Sequence, residues 1–169
     1  LRPGDVVTYC FHGDGGLLGE DGRVVDEIRR ARDKGVLFDV GHGFASFDFS
    51  VAETAVAQGF LPDTISTDVY KNHLDSEPTH DMPRTVSKLM AAGVSEKEAL
   101  TRATAAAARV LRLAGEVGTL APGASADLAI LRWNSRAAPL VDVNNVARSG
   151  GCWEPVITVR GGQIVRPNS

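Results

Sequence analysis

Cysteine is scarce: Cys10 and Cys152 are the only two in 169 residues. Two distant cysteines make no secreted disulfide framework, and with no CxxC pair there is no zinc knuckle. The reading that follows is a reduced, cytoplasmic protein. Long apolar runs are missing too. No window approaches about 18 consecutive apolar residues, so no membrane span is expected, and no signal peptide is visible. There is no basic block: 18 Lys and Arg face 21 Asp and Glu, for a net charge of -3. Phosphate binding needs clustered cations, so nucleic acid is not the expected partner. Several motifs of reactivity are absent as well. No G-x-S-x-G elbow occurs, and Cys10 has no activating neighbours in sequence. The glycine-rich stretch HGDGG lacks the spacing of a phosphate loop.

What is present is the material of a core. Hydrophobic residues make up 43% of the chain, and a chain of this length buries roughly 70% of its unfolded surface. That argues for one domain, or one with a small appendage. The opening LRPGDVV reaches a strand-like run within a few residues and carries no methionine; a complete protein can begin this way after processing, and a piece cut from a longer chain would do so more naturally.

Three times a short β-rich run leads into a helical pattern. Asp5–Phe11 precedes a helix within Asp21–Gly35, with Val24, Val25, Ile28 and Ala31 on one face. Val36–Gly43 precedes a helix from Ser50, with Glu53 completing a capping box and an apolar stripe of Val51, Ala52, Ala55 and Val56. Asp63–Tyr70 is followed by a long polar loop, Lys71–Pro83, and a helix from Arg84. This alternation predicts βα units on a parallel sheet. A long helix, Ser95–Leu113, opens on a second capping box, Ser95 with Glu98. From Gly118 the pattern changes to short apolar runs, with a turn at Pro122-Gly123 and a hairpin at Gly161-Gly162.

In parallel α/β folds reactive side chains gather at the carboxyl ends of strands. The first run ends at Tyr9-Cys10-Phe11-His12, the second at His42 in GHG, and the third at Asp68 in STD. Two histidines and a carboxylate from successive strand ends suit zinc, manganese or iron. Taken singly, each has an ordinary reading as a hydrogen-bonded loop residue, and Asp68 as an Asx turn or helix cap. His73 and His80 read as solvated loop residues, with substrate contact as the lesser alternative.

FDVGHGFASF, ISTDVY and the stretch from Thr104 through ARVL to GTLAPGASADLAIL together resemble the C-terminal part of an amidohydrolase-superfamily metallohydrolase, of the deacetylase group related to dihydroorotase. The resemblance covers nearly the whole chain. It implies an α/β fold: the C-terminal half of a (β/α)8 barrel over residues 1–117, with 118–169 forming part of a small β-sandwich. It implies one or two divalent metals, zinc first, at the barrel mouth. His42 matches one metal-ligating histidine of the family. Asp68 matches the aspartate that ligates metal and shuttles the proton. Tyr9 stands where the family places another histidine, and a neutral phenol is a poor zinc ligand. Because side chains alternate along a strand, His12 should face away from Tyr9, replacing it only if the strand ends early. Tyr70 and His73 are the implied substrate contacts.

The chemistry implied is hydrolysis of an amide, cyclic amide or acetyl ester by metal-activated water, on a small acylated substrate. The family's His-x-His pair and bridging lysine have no match here. Two alternatives therefore stand beside this reading. One is a catalytically inactive homologue with a structural or partner-binding role, either self-associating or paired with a chain that supplies the missing half barrel. The other is an unrelated doubly wound α/β binding domain.

Overall fold

The computed structural model describes residues 1–73 and 76–165; Leu74, Asp75 and residues 166–169, including the last residue of the expected hairpin, lie outside the described residues. The β-rich runs do line up in parallel, in chain order. β1 (Val6–Val7) pairs with β2 (Leu37–Phe38). The third run joins β2 through a parallel bridge between Asp39 and Thr64. Its carbonyls at Thr64, Ser66 and Thr67 then accept the N–H groups of Val40, His42 and Gly43.

Regular strand is shorter than the runs predict, because each chain turns where a side chain must be presented. Tyr9 has φ 61° and ends the first run, Gly41 and Gly43 bend the second at φ 50° and 47°, and Asp68 stops the third at φ 49°. Left-handed backbone leaves the ladder, so the alternation expected from Asp5 to Phe11 fails at Tyr9.

The helices follow the amphipathic patterns, with corrected boundaries. α1 (Asp26–Asp33) starts later than expected, and Val24, just before it, is buried. α2 (Phe49–Ala57) is capped by Asp48, not Ser50: the Asp48 carboxylate accepts the N–H of Ser50 at 2.7 Å and of Val51 at 3.3 Å. A charged acceptor two residues upstream displaces the Ser50 box. Glu53 instead pairs with Arg148. Of the predicted stripe Val51, Ala52 and Ala55 are buried, and Val56 packs half-buried beside them. α3 (Met82–Ala91) starts two residues before Arg84, because Pro83 fits a first turn and Asp81 caps it. The predicted long helix is two: α4 (Glu96–Ala103), capped by Ser95 as expected, and α5 (Ala105–Val110). They break at Thr104, with φ -127° and ψ -94°.

In the tail, β3 (Leu128–Asn134), β6 (Cys152–Arg160) and β7 (Gln163–Val165) form an antiparallel sheet in the order β3-β6-β7. Gly161 and Gly162 make the expected two-residue turn, both at positive φ, as a hairpin twist requires. The Pro122-Gly123 turn closes with Ala124 N–H on Ala121 carbonyl at 3.1 Å. A second small hairpin, β4 (Leu140–Val141) with β5 (Ala147–Arg148), was not visible in the pattern. Polar contacts tie the tail to the αβ layer: Trp153 N–H donates to Ser87 Oγ at 2.8 Å, and Asn144 Nδ2 to Asp48 at 2.8 Å. The core lies between sheet and helices, with Phe11, Phe47, Phe49 and Phe60 fully enclosed. Among the described residues no helix is long and apolar enough to cross a membrane.

Candidate functional site

The three carboxyl ends meet through one buried carboxylate. Asp39, just past β2, accepts Thr8 Oγ1 at 2.9 Å, Thr64 Oγ1 at 2.6 Å and Ser66 Oγ at 2.5 Å. It therefore fastens all three runs immediately below the residues they present. Sequence reasoning passed over Asp39; the signal was an aspartate directly after an apolar run, with hydroxyls at matching positions in its two neighbours.

Above this clamp Tyr9 and Asp68 are in contact. The Tyr9 O–H donates to Asp68 Oδ2 at 3.2 Å. That bond and the carboxylate charge raise the phenol's pKa above its ordinary value, so at neutral pH Tyr9 is a donor. Gly41 makes room for it. A Cβ on Gly41 would come within 2.2 Å of Thr8 Oγ1 and 2.9 Å of Tyr9 Cδ1. On the other side of the histidine, a Cβ on Gly43 would lie 3.1 Å from Asp68 Oδ2. The glycines of GHG thus let neighbouring strand ends close in, beyond merely freeing the His42 ring.

His42 is buried, stacked on Phe47, and its Nε2 meets Lys88 Nζ at 2.8 Å. Burial, then the charges of Lys88 and His80, drive its pKa down to about 2, so the ring is neutral. Lys88 is the donor, and Nδ1 is buried without a hydrogen-bond partner. Burial, with repulsion from Arg84 only partly offset by Asp142, lowers the Lys88 amine to about 8. Lys88 is the second residue that the sequence reading missed: a lysine on the core side of an amphipathic helix.

The loop histidines correct the solvated reading. His73 is buried against Tyr70 and Phe44, at ring distances of 3.7 and 4.3 Å. His80 is half-buried; its Nε2 bonds the Thr67 carbonyl at 2.7 Å, and its ring lies 4.9 Å from both His42 and His73. Tyr70 is exposed beside them. His12 sits elsewhere. The chain turns early, as a swing back would require. However, His12 Nδ1 accepts Asp14 N–H at 3.0 Å, and the ring borders a separate cleft with Asp48 and Asn144.

The fit to a divalent metal rests on these contacts. His42 is neutral, and its Nε2 lone pair accepts from the Lys88 ammonium, which an ion at that atom would have to displace. Asp68 offers a carboxylate at the adjoining strand end. Imidazole and carboxylate are a zinc-type donor pair. Among the described residues no three His, Cys, Asp or Glu side chains cluster to hold an ion. His42 and Asp68 fit as contributed ligands of a shared centre rather than as a complete one.

Two adjoining strand ends thus offer neutral imidazole and carboxylate, and comparison with known proteins gives the family. The chain belongs to the amidohydrolase family, whose model matches residues 28–165. Among curated relatives it is 37% identical over 167 residues to a deacetylase of Enterococcus faecalis, covering 97% of this chain and 45% of the relative. It is 36% identical to a deacetylase of Agrobacterium fabrum, covering 98% of this chain and 40% of that protein. Among solved structures, an adenine deaminase superposes with TM-score 0.89 at 37% identity, over 99% of this chain and 46% of that one. A dihydroorotase superposes at 0.80 and 32% identity, over 98% and 44%. The chain thus spans less than half the length of the relatives it matches.

Proposed function

We propose that this chain is the part of a metal-dependent amide hydrolase that carries the proton-transferring aspartate, within a partial (β/α)8 barrel and its attached β-sandwich segment. The observation that carries the reading is the convergence of Asp68 and His42 at neighbouring strand ends, over the Asp39 clamp. Residues 1–117 form the barrel portion and 118–169 the sandwich portion. His42 and Asp68 would hold a divalent metal, zinc first. When bound, that ion polarises a carbonyl and makes water nucleophilic near neutral pH.

The chain's own residues do the rest. Asp68 takes a proton from the attacking water and delivers it to the leaving nitrogen or oxygen. The Tyr9 O–H, donating to Asp68 Oδ2, fixes the carboxylate's rotamer and leaves its other oxygen open. His42 remains neutral and so does not repel a cation. Tyr70, exposed on the following loop, contacts the substrate, whereas His73 is buried behind it and supports the Tyr70 ring. The substrate is a small acylated compound or cyclic amide, in keeping with the deacetylase, deaminase and dihydroorotase names among the relatives.

Tyr9 favours a second reading, an inactive homologue, since a protonated phenol stands where the family resemblance implies a ligand. The full-length protein containing this chain separates the two. With zinc or manganese added, it is expected to hydrolyse at least one of an N-acetyl amino acid, an acetyl ester or a cyclic amide. No turnover of any of the three, in protein that is folded and carries metal, would select the inactive reading.

A further inference from the structure

Asp39 is not the only clamp on the strand ends; a second is built on a backbone carbonyl. His80 comes directly before Asp81, the cap of α3, and its Nε2 lies 2.7 Å from the Thr67 carbonyl oxygen. A carbonyl only accepts, so this nitrogen carries the proton and donates. The same oxygen accepts the backbone N–H of Gly43 at 3.0 Å, so both of its lone pairs are used. Among the described residues His80 is the only side chain that donates to it. The His80 ring is itself held, stacked on Phe44 at 5.4 Å and edge-on to His73 at 4.9 Å.

The Thr67 carbonyl belongs to the peptide group that leads into Asp68. Asp68 has φ 49°, a left-handed conformation that persists only where its surroundings enforce it. Flipping the Thr67–Asp68 peptide plane would return Asp68 to negative φ. It would also turn the carbonyl away from both donors, so those two bonds oppose the flip. We infer that His80 is a positioning residue for Asp68: its Nε2–H pins the Thr67 carbonyl and so keeps the Asp68 carboxylate turned toward Tyr9. His80 acts on where Asp68 stands and not on how tightly substrate binds. The inference rests on the proposed hydrolytic reading for its effect on rate, but the effect on the Asp68 backbone does not need turnover.

The test uses three variants of the full-length protein. His80→Phe keeps a ring beside Phe44 but removes the N–H. His80→Leu is smaller and equally without a donor. His80→Gln keeps an N–H at a similar reach. In His80→Phe and His80→Leu, kcat should fall about tenfold, the scale of one lost hydrogen bond, with KM within about twofold of wild type. His80→Gln should recover most of that loss. A crystal structure of either donor-free variant should show Asp68 at negative φ and its bond to Tyr9 broken. Asp68 still at positive φ and bonded to Tyr9 overturns the inference. So does a His80→Gln enzyme no better than His80→Phe, or a loss that falls on KM, which would make His80 a substrate contact. If Asp68 turns away while kcat is unchanged, the positioning stands and the role of Asp68 in hydrolysis falls. If wild type turns over no substrate, the hydrolytic reading falls and the crystal structure alone decides the inference.

Discussion

A single hydrogen bond, from Tyr9 to Asp68, shows what one residue does to this site. The phenol cannot supply the lone pair of an imidazole, but it can hold the Asp68 carboxylate in place. Tyr9→Phe in the full-length protein should therefore lower the hydrolytic rate by roughly tenfold or less, the scale of one hydrogen bond to a charged group, with KM little changed. An effect as large as removing Asp68 would make Tyr9 a direct participant. Asp48 carries a separate expectation. Burial pushes its carboxyl up, but hydrogen bonds from Ser50, Val51 and Asn144 outweigh this, and its pKa falls below the ordinary 3.8. Asp48→Ala should cost about 1–2 kcal/mol in urea unfolding near neutral pH. As pH drops, the unfolded chain takes up this proton first. The native advantage of Asp48 is thus complete above the ordinary carboxylate range and lost as pH falls through the lowered native value. The gap between wild type and Asp48→Ala should narrow as pH falls below the ordinary carboxylate range; a constant gap would remove the carboxylate's charge from the explanation. His42, Asp68 and Tyr9 were all legible as residues to watch, because each closes an apolar run. Asp39 and Lys88 were not, because their meaning lies in partners 25 to 46 residues away.

At the scale of elements, βα alternation was readable from periodicity, and the structure keeps it in parallel order. The lengths of the strands were not. Tyr9, Gly41 and Asp68 all adopt positive φ, and propensity says nothing about a tyrosine or aspartate that must turn out of a ladder to meet a neighbour. The cap of α2 moved for a similar reason: Ser50 fits the local motif, but Asp48 also reaches Asn144 in the tail. The convergence of the strand ends depends on Gly41, where the first two runs touch. Gly41→Ala places a methyl group against Thr8 and Tyr9 at a backbone angle that side chains rarely adopt. It should destabilise the fold by about 2 kcal/mol or more and displace Tyr9 from Asp68. Unchanged unfolding midpoints would show that the two runs do not pack as closely as described.

The whole chain exposes more apolar surface than its core accounts for. Ile130, Ile157 and Ile164 share one face of the tail sheet and are all open to solvent, and exposed apolar patches drive association. Expressed alone, residues 1–169 should self-associate on light scattering and turn over no substrate, whereas a clean monomer would show that the patch is tolerated. Composition could not foretell this, since 43% hydrophobic content is ordinary until the fold shows which residues it buries. On the proposed reading, this chain contributes only part of a metal centre. Its most direct test is the kcat/KM of the zinc-loaded full-length protein on its best amide or ester substrate, with bound metal measured alongside, in wild type, Asp68→Asn and His42→Ala. The account predicts a loss of about 100-fold or more in Asp68→Asn and a fall in bound metal in His42→Ala. Activity and metal content unchanged in both variants would contradict it.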